Sequence, residues 1–279
     1  SSIPFTPATG PRILYSIIHD KKNIAEEIFK AIQKVSKENE ISSWHILFPE
    51  EDEKDLFESL GLSTRKNVQF MWKNNSYKSF DHFLEFFSSR NRKNLKKERR
   101  KIIEQDLEIK KFTGNQISKD VVEDFYSFYV DTHLRRSGHS GYLNKDFFDQ
   151  ITKTIPKNIL IILAYKDDRA VAGSFFFYDK KNLYGRYWGA SNDFDALHFE
   201  CCYYQGIDFC IEKNIKRFDP GVQGEHKIKR GFEPTFTFSS HWIENYDFSL
   251  AINDFLLRED KYIKDYHQDA STLLPFKNL

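Results

Sequence analysis

The chain has 279 residues, of which 42 are Lys or Arg and 41 Asp or Glu, a formal net charge of +1. That balance excludes a global field that would draw the protein onto nucleic acid or a bilayer, so any basic surface must be local. Hydrophobic residues make up 40% and aromatic residues 16%, with 27 Phe and 14 Tyr, enough for sizeable cores and for two domains. Three cysteines, Cys201, Cys202 and Cys210, form no disulfide framework and point to a reducing, cytoplasmic compartment. No apolar run approaches the ~18 residues that a membrane span needs, and no signal peptide is visible.

In chain order, 13–18 reads as a strand and 23–40 as a helix, with apolar residues at Ile24, Ile28, Ala31, Ile32 and Val35. A strand at 44–48, a helix at 52–60 closed by Gly61, and a strand at 68–72 complete a first α/β block. Residues 80–104 carry a helical pattern bent near Ser88 and Ser89. Its centre, Arg90 to Lys101, holds eight cations and one Glu, a candidate linker arm. A second block follows: strand 107–112, helix 118–136, helix 146–154, then strands 158–165, 170–178 and 183–190. Short polar connections between those three strands predict an antiparallel meander. A helix at 198–213, a strand at 215–218, a strand at 235–242 and a helix at 250–267 end the chain. The expected division is a partial N-terminal domain at 1–79, a basic helical arm at 80–106 and a C-terminal domain at 107–279.

The stretch 219–234 crowds Glu225, His226, Lys227, Lys229 and Arg230 between Pro220, Gly221, Gly224, Gly231 and Pro234. Gly and Pro prevent a simple helix or strand there. A turn carrying a carboxylate, an imidazole and three cations suits a site as well as a solvated loop. It misses the phosphate-loop pattern, with His226 where Gly belongs and Ile228 where Ser or Thr belongs. His198-Phe-Glu200 lacks the Pro-Cys-x-x-Cys that a zinc deaminase requires. Glu200 also has a structural explanation, since a carboxylate near a helix N-terminus is favoured. On the strand 183–190, alternation places Arg186 and Trp188 on one face and Tyr187 on the other. Arg92, Lys96, Arg99 and Arg100 lie near one stripe of the arm and suit an RNA backbone or another phosphate; the plain alternative is a solvated helix.

The segments Tyr184-Gly-Arg-Tyr-Trp-Gly189, His198-Phe-Glu200, Tyr203-Tyr-Gln-Gly-Ile207 and 219–234 resemble the bacterial FemAB-like N-acyltransferases of the GNAT superfamily. These are proteins of peptidoglycan biosynthesis or recognition. Residues 3–12, the arm 90–100, and Gln69-Phe-Met-Trp72, where relatives often carry His in place of Met71, resemble that family as well. The resemblance implies an α/β (α+β) fold of tandem GNAT-like domains, the first truncated, joined by the basic arm. It implies transfer of an acyl or aminoacyl group to an amine, with a peptidoglycan precursor as a candidate acceptor. The donor would be aminoacyl-tRNA, making tRNA a partner, or acyl-CoA; no cofactor would be tightly bound and no metal is implied. The turn 189–198 has one Gly and two Asp where acyl-CoA users place a glycine-rich pyrophosphate cradle, which weighs against acyl-CoA.

Acyl transfer needs a neutral amine, a proton acceptor and a donor for the developing oxyanion. Glu225 or His226 is the expected proton acceptor, and Lys229, in Lys229-Arg-Gly-Phe232, resembles a family element. Arg186, Trp188, His198, Glu200, Tyr204, Gln205, Lys227 and Arg230 are the expected substrate contacts. Arg230 paired with Glu225 is the structural alternative. The rival from another class is a non-catalytic module that recognises peptidoglycan precursor or RNA.

Overall fold

The computed structural model describes residues 7–16, 18–222 and 224–277. By contacts the chain forms two compact units, Ser1–Gln69 with Pro234–Leu273, and Phe70–Glu233 with Leu274–Leu279. These units do not follow the consecutive segments 1–79, 80–106 and 107–279. The physical reason is that the last long strand pairs back onto the first one.

The first unit holds α1 (Lys21–Glu38), β1 (Ser43–Leu47), α2 (Glu51–Ser59), the start of β2 (Ser63–Lys73), β8 (Glu233–Ile243) from Pro234 onward, and α9 (Tyr246–Thr272). β8 runs antiparallel to β1, from Ser43↔Ile243 to Leu47↔Ser239. Asp20 caps α1 and Asn245 caps α9, each accepting a bond from a backbone N–H of the first turn. Ile13, Ala25, Ile46, Phe57 and Leu62 form the core, with Trp44 and Trp242 against it. The strand expected at 13–18 does not form among the described residues, and Ile17 lies outside them. The buried carboxylate of Glu53 takes the backbone N–H groups of Arg12 (2.6 Å) and Ile13 (3.1 Å) instead, which removes donors a sheet ladder would use.

In this unit β1 and β8 also set His45 opposite His241, with Nδ1 to Nδ1 at 2.8 Å. Burial, then the neighbouring His45 and Arg65, brings His241 down to about 4 from the ordinary 6.5. A proton on His241 therefore favours the unfolded chain. Stability is full above pH 6.5 and is lost as pH falls toward 4. Urea unfolding of the wild type between pH 7.5 and 4.5 should show this loss, and His241→Gln should reduce the slope.

The second unit contains α3 (Phe80–Glu85), α4 (Ser89–Glu104), β3 (Glu108–Thr113), α5 (Lys119–Ser137), α6 (Lys145–Thr154), β4 (Ile159–Lys166), β5 (Arg169–Tyr178) and β6 (Asn182–Ala190). After these come α7 (Leu197–Phe199), a π-helical stretch Glu200–Tyr204, α8 (Gln205–Lys213) and β7 (Arg217–Asp219). The predicted meander is present: β3, β4, β5 and β6 pair antiparallel in succession. The helix expected at 198–213 forms with the π-helical turn inside it. The bend expected near Ser88 separates α3 from α4. β4 is buried along Ile159–Ala164, so it reads as a continuous apolar run rather than an alternating one.

α5 lies against this sheet, packing Val121, Val122, Phe125, Phe128 and Tyr129 onto Ile159, Ile161, Leu163 and Phe175 of the sheet and Phe148 of α6. Its approach to β6 depends on Gly189, where a Cβ would lie 2.0 Å from the Phe128 carbonyl oxygen. Gly189→Ala should therefore push α5 off β6. We expect a loss of about 3 kcal/mol or more in denaturant unfolding, since backbone cannot yield as a side-chain tip can.

Candidate active site

β6 pairs with β7 in parallel only from Asn182↔Arg217 to Tyr184↔Asp219. β7 then stops, while β6 continues to Ala190. Pro220 has no N–H for a ladder, and Gly221 at φ +94° turns the chain away. A cleft of about 530 Å³ opens at this parting. Arg186, Tyr187 and Trp188 of β6 line one side, and Pro220, Gly221, His226 and Lys227 the other. His198, Cys202 and Tyr203 complete the lining from the helical segment between β6 and β7. The sheet irregularity between Phe175 and Phe176, in the β5–β6 register, also lies at this cleft. Together with the Glu200–Tyr204 π-helical turn it is a backbone departure of the kind that re-aims side chains at sites.

The 219–234 stretch forms a 3₁₀ turn, Glu225–Arg230, entered through Gly224 at φ +107° and left through Gly231 at φ +82°. The turn sorts its charged side chains. His226, itself exposed, and the buried Lys227 line the cleft; the exposed Glu225 and Lys229 do not. His226 Nε2 lies 2.8 Å from the Tyr203 hydroxyl. Burial, then Arg230 and Lys227, lowers the His226 pKa, while burial raises that of Tyr203. The phenol is therefore the O–H donor and His226 the neutral acceptor. Lys227 is 1% exposed. Its ammonium donates to the Gly221 carbonyl at 2.5 Å. Burial pulls Lys227 down to about 8 against the opposing pull of Asp219. Burial, then His226 and Arg136, holds His198 at about 4, so it is neutral near pH 7.

Arg186 sits 3.6 Å from Asp219 Oδ2, donates to the Gly185 carbonyl at 2.9 Å and lies over the Tyr184 ring. Arg136, at the end of α5, was absent from the sequence expectations. It lines this cleft and two smaller cavities of about 280 and 180 Å³ that share Trp188 and His198 with it. Only a contact across the fold reveals Arg136; its local sequence, an Arg pair ending an amphipathic helix, reads as an ordinary helix terminus. Tyr203 stands in the Tyr203–Ile207 segment singled out in the sequence; an aromatic residue on a helix is usually core, but this one lines the cleft. Asp193, from the turn 189–198, lines the smallest of these cavities.

Four of the expected contacts point elsewhere. Arg230 donates to Tyr204 (3.0 Å), to the His226 carbonyl (2.8 Å) and to both carboxylate oxygens of Glu98 (2.8 and 2.9 Å), and stacks on Phe199. Its ion-pair partner is thus Glu98 of α4, where Glu225 had been weighed. Tyr204 is buried and bonds to the same Glu98. Glu200 accepts from Arg99 (2.9 Å) and Gln205 (2.7 Å), and Arg99 also binds Asp208 at 2.8 Å. Burial raises the Glu200 pKa, and Arg99 opposes the shift. These two networks fasten α4 to the helical segment 197–213, and through His226 they hold the 3₁₀ turn. Among the described residues no group of three or more His, Cys, Asp or Glu is placed to hold a metal ion.

A family model for FemAB-like proteins, described as peptidoglycan biosynthesis/recognition, matches residues 1–278. The chain belongs to the FemAB-like family. Solved structures share the fold of this FemAB-like chain. FemX aligns with a TM-score of 0.58 at 12% identity, covering 90% of this chain and 85% of its own. L-PGS from Bacillus licheniformis gives 0.55 at 14%, covering 83% and 76%. The C-terminal domain of a protein assigned as a lysylphosphatidylglycerol synthetase, from Agrobacterium fabrum, gives 0.58 at 10%, covering 84% and 77%. No curated protein matches the sequence. No helix among the described residues is long and apolar enough to cross a membrane.

The Glu98–Arg230–Tyr204 network yields a stability test. Arg230→Met leaves Glu98 and the Tyr204 hydroxyl without their cation, and removing one partner of such a pair costs about 3 kcal/mol. Denaturant unfolding should show that loss. Lys229→Met, one residue away and exposed, should be neutral within about 0.5 kcal/mol.

Proposed function

We propose that this FemAB-like chain is an N-acyltransferase that moves an acyl or aminoacyl group onto an amine acceptor in the cleft between β6 and the Glu225–Arg230 turn. The family's association with peptidoglycan makes a cell-wall precursor the favoured acceptor. The observation that carries the reading is the convergence of Tyr203, His226 and Lys227 at the parting of β6 and β7. In this reading Tyr203 with His226 is the proton acceptor and Lys227 the oxyanion donor, in an opening also lined by Trp188 and Tyr187.

In the reaction, the lone pair of a neutral acceptor amine attacks the donor carbonyl carbon. As the carbon–nitrogen bond forms, the amine proton passes to the Tyr203 oxygen and the phenolic proton passes to His226 Nε2. The Lys227 ammonium meets the developing oxyanion; collapse of the adduct expels the donor's leaving group, which takes the proton back from His226. A neutral imidazole is required at the start, and burial, with Arg230 and Lys227 adding to it, lowers the His226 pKa and keeps it neutral. Of the two expected proton acceptors, Glu225 and His226, this reading takes His226, acting through Tyr203, and it gives Lys229 no part in the chemistry. Arg186 and Arg136 suit carboxylate or phosphate groups on either substrate. The carboxylate of Asp193 beside the smallest cavity weighs toward aminoacyl-tRNA over acyl-CoA as the donor.

Isotope transfer from aminoacyl-tRNA and from acyl-CoA to a panel of amines tests the reading. His226→Gln should lower kcat by about 100-fold, and Lys227→Met by a similar factor. Lys229→Ala should stay within about twofold. The wild-type rate should fall on the acid side as His226 protonates, below the ordinary 6.5. It should fall on the alkaline side as Lys227 loses its charge, near pH 8. Lys227→Arg should move the alkaline limb upward. Tight precursor binding with transfer from neither donor would favour the recognition module instead.

A further inference from the structure

The cations of α4 divide into two sets. Arg99 is committed to Glu200 and Asp208, Lys96 to Asp81 at 2.8 Å and Lys101 to Asp195. Arg92 is half-buried. Arg90, Lys93, Lys97 and Arg100 are exposed and have no ion-pair or hydrogen-bond partner among the described residues. Their spacing is i, i+3, i+7, i+10, so at 3.6 residues per turn they form one stripe along the helix. Leu95 and Ile102, both buried, occupy the opposite face, and Glu98 and Arg99 bond inward there. The stripe therefore faces away from the unit's core. Glu104, one turn beyond Arg100, ends it.

We propose that this stripe of Arg90, Lys93, Lys97 and Arg100 docks the phosphate backbone of an RNA. It spans ten residues, about 15 Å of helix. One nucleic-acid strand presents a charge every 3.4 Å or so, so the stripe meets about four phosphates. The contacts are with backbone only: no aromatic side chain lies on α4 to stack or read bases, so the interaction carries affinity without sequence preference. An anionic bilayer is the weaker fit, because a helix at a bilayer interface buries an apolar face there. α4 turns its apolar face into the protein and exposes only Ile103. The near-zero net charge leaves no general attraction to mask this local one. The residues also differ from the sequence expectation: of Arg92, Lys96, Arg99 and Arg100, only Arg100 belongs to the stripe. The choice of RNA over DNA rests on the transferase reading with an aminoacyl-tRNA donor; the backbone contact itself does not.

The test is fluorescence anisotropy of a labelled RNA hairpin with a 3′ single-stranded end, titrated with the full chain across a salt series. Four phosphate contacts predict a log–log salt slope of about −3 to −4. The variant Arg90→Ala/Lys93→Ala/Lys97→Ala/Arg100→Ala should weaken binding at least about 30-fold and bring the slope toward zero. A control carrying Lys153→Ala/Lys157→Ala/Lys180→Ala/Lys213→Ala, also exposed lysines, should bind like the wild type. Far-ultraviolet circular dichroism and melting temperature of both variants check that folding is intact. Equal loss in the two variants, no loss in the first, or binding to phosphatidylglycerol vesicles but not to RNA overturns the proposal. Binding is read without turnover. RNA binding lost in the first variant alongside absent transfer from any donor would sink the transferase reading and leave the stripe standing. Transfer from acyl-CoA without RNA binding would do the reverse.

Discussion

The parting of β6 and β7 after Tyr184↔Asp219 is the constraint on which the site depends. A parallel pair that continued would bury its inner edges in ladder hydrogen bonds. Here β7 ends at a proline and a left-handed glycine, and β6 runs on alone on that side. The backbone of one strand and the turn after the other then become walls of an opening. Most of the cleft is placed by that event: Arg186 to Trp188 by the unpaired half of β6, His226 and Lys227 by the turn, and His198 and Tyr203 by the helical segment that joins the two strands; α5 adds Arg136 and β5 adds Phe175 and Phe176.

The walls are held by charge networks that do no chemistry themselves. Glu98 gathers Arg230 and Tyr204, and Arg99 gathers Glu200 and Asp208. Both originate on α4, so the helix that carries an outward cationic stripe also braces the Glu225–Arg230 turn. Buried ion pairs of this kind give little net stability over apolar packing, but removing one partner is costly, which suits them to fixing a geometry. Burial of the cleft has a functional side. It lowers the pKa of His226 and His198, with neighbouring cations adding to it, and keeps both imidazoles neutral; burial alone, against Asp219, brings Lys227 close enough to neutrality to be sensitive to pH.

Much of the fold could be read from the sequence because the periodicities were clean. The meander from β4 to β6, the bend before α4 and the glycine-bounded turn all follow from apolar spacing and from Gly and Pro placement. The strand expected at 13–18 failed because a distant buried carboxylate, Glu53, claims backbone donors that no local pattern can reveal. The site was legible as a neighbourhood but not residue by residue. Sequence places Glu225, His226, Lys227, Lys229 and Arg230 within six positions, and a 3₁₀ turn then points them in different directions. Which of them faces the cleft depends on the turn's phase, and Arg230 is drawn inward by Glu98, a residue 132 positions away. Arg136 had no local signature, since it matters only through what lies opposite it.

The most direct test of the central claim is a crystal structure of the protein with an amine acceptor and a non-transferable donor analogue. The account predicts the acceptor nitrogen within hydrogen-bond reach of the Tyr203 hydroxyl, and the donor carbonyl oxygen beside Lys227 Nζ, in the opening between β6 and the Glu225–Arg230 turn. Density for both ligands away from that opening, with Tyr203, His226 and Lys227 touching neither, would contradict it.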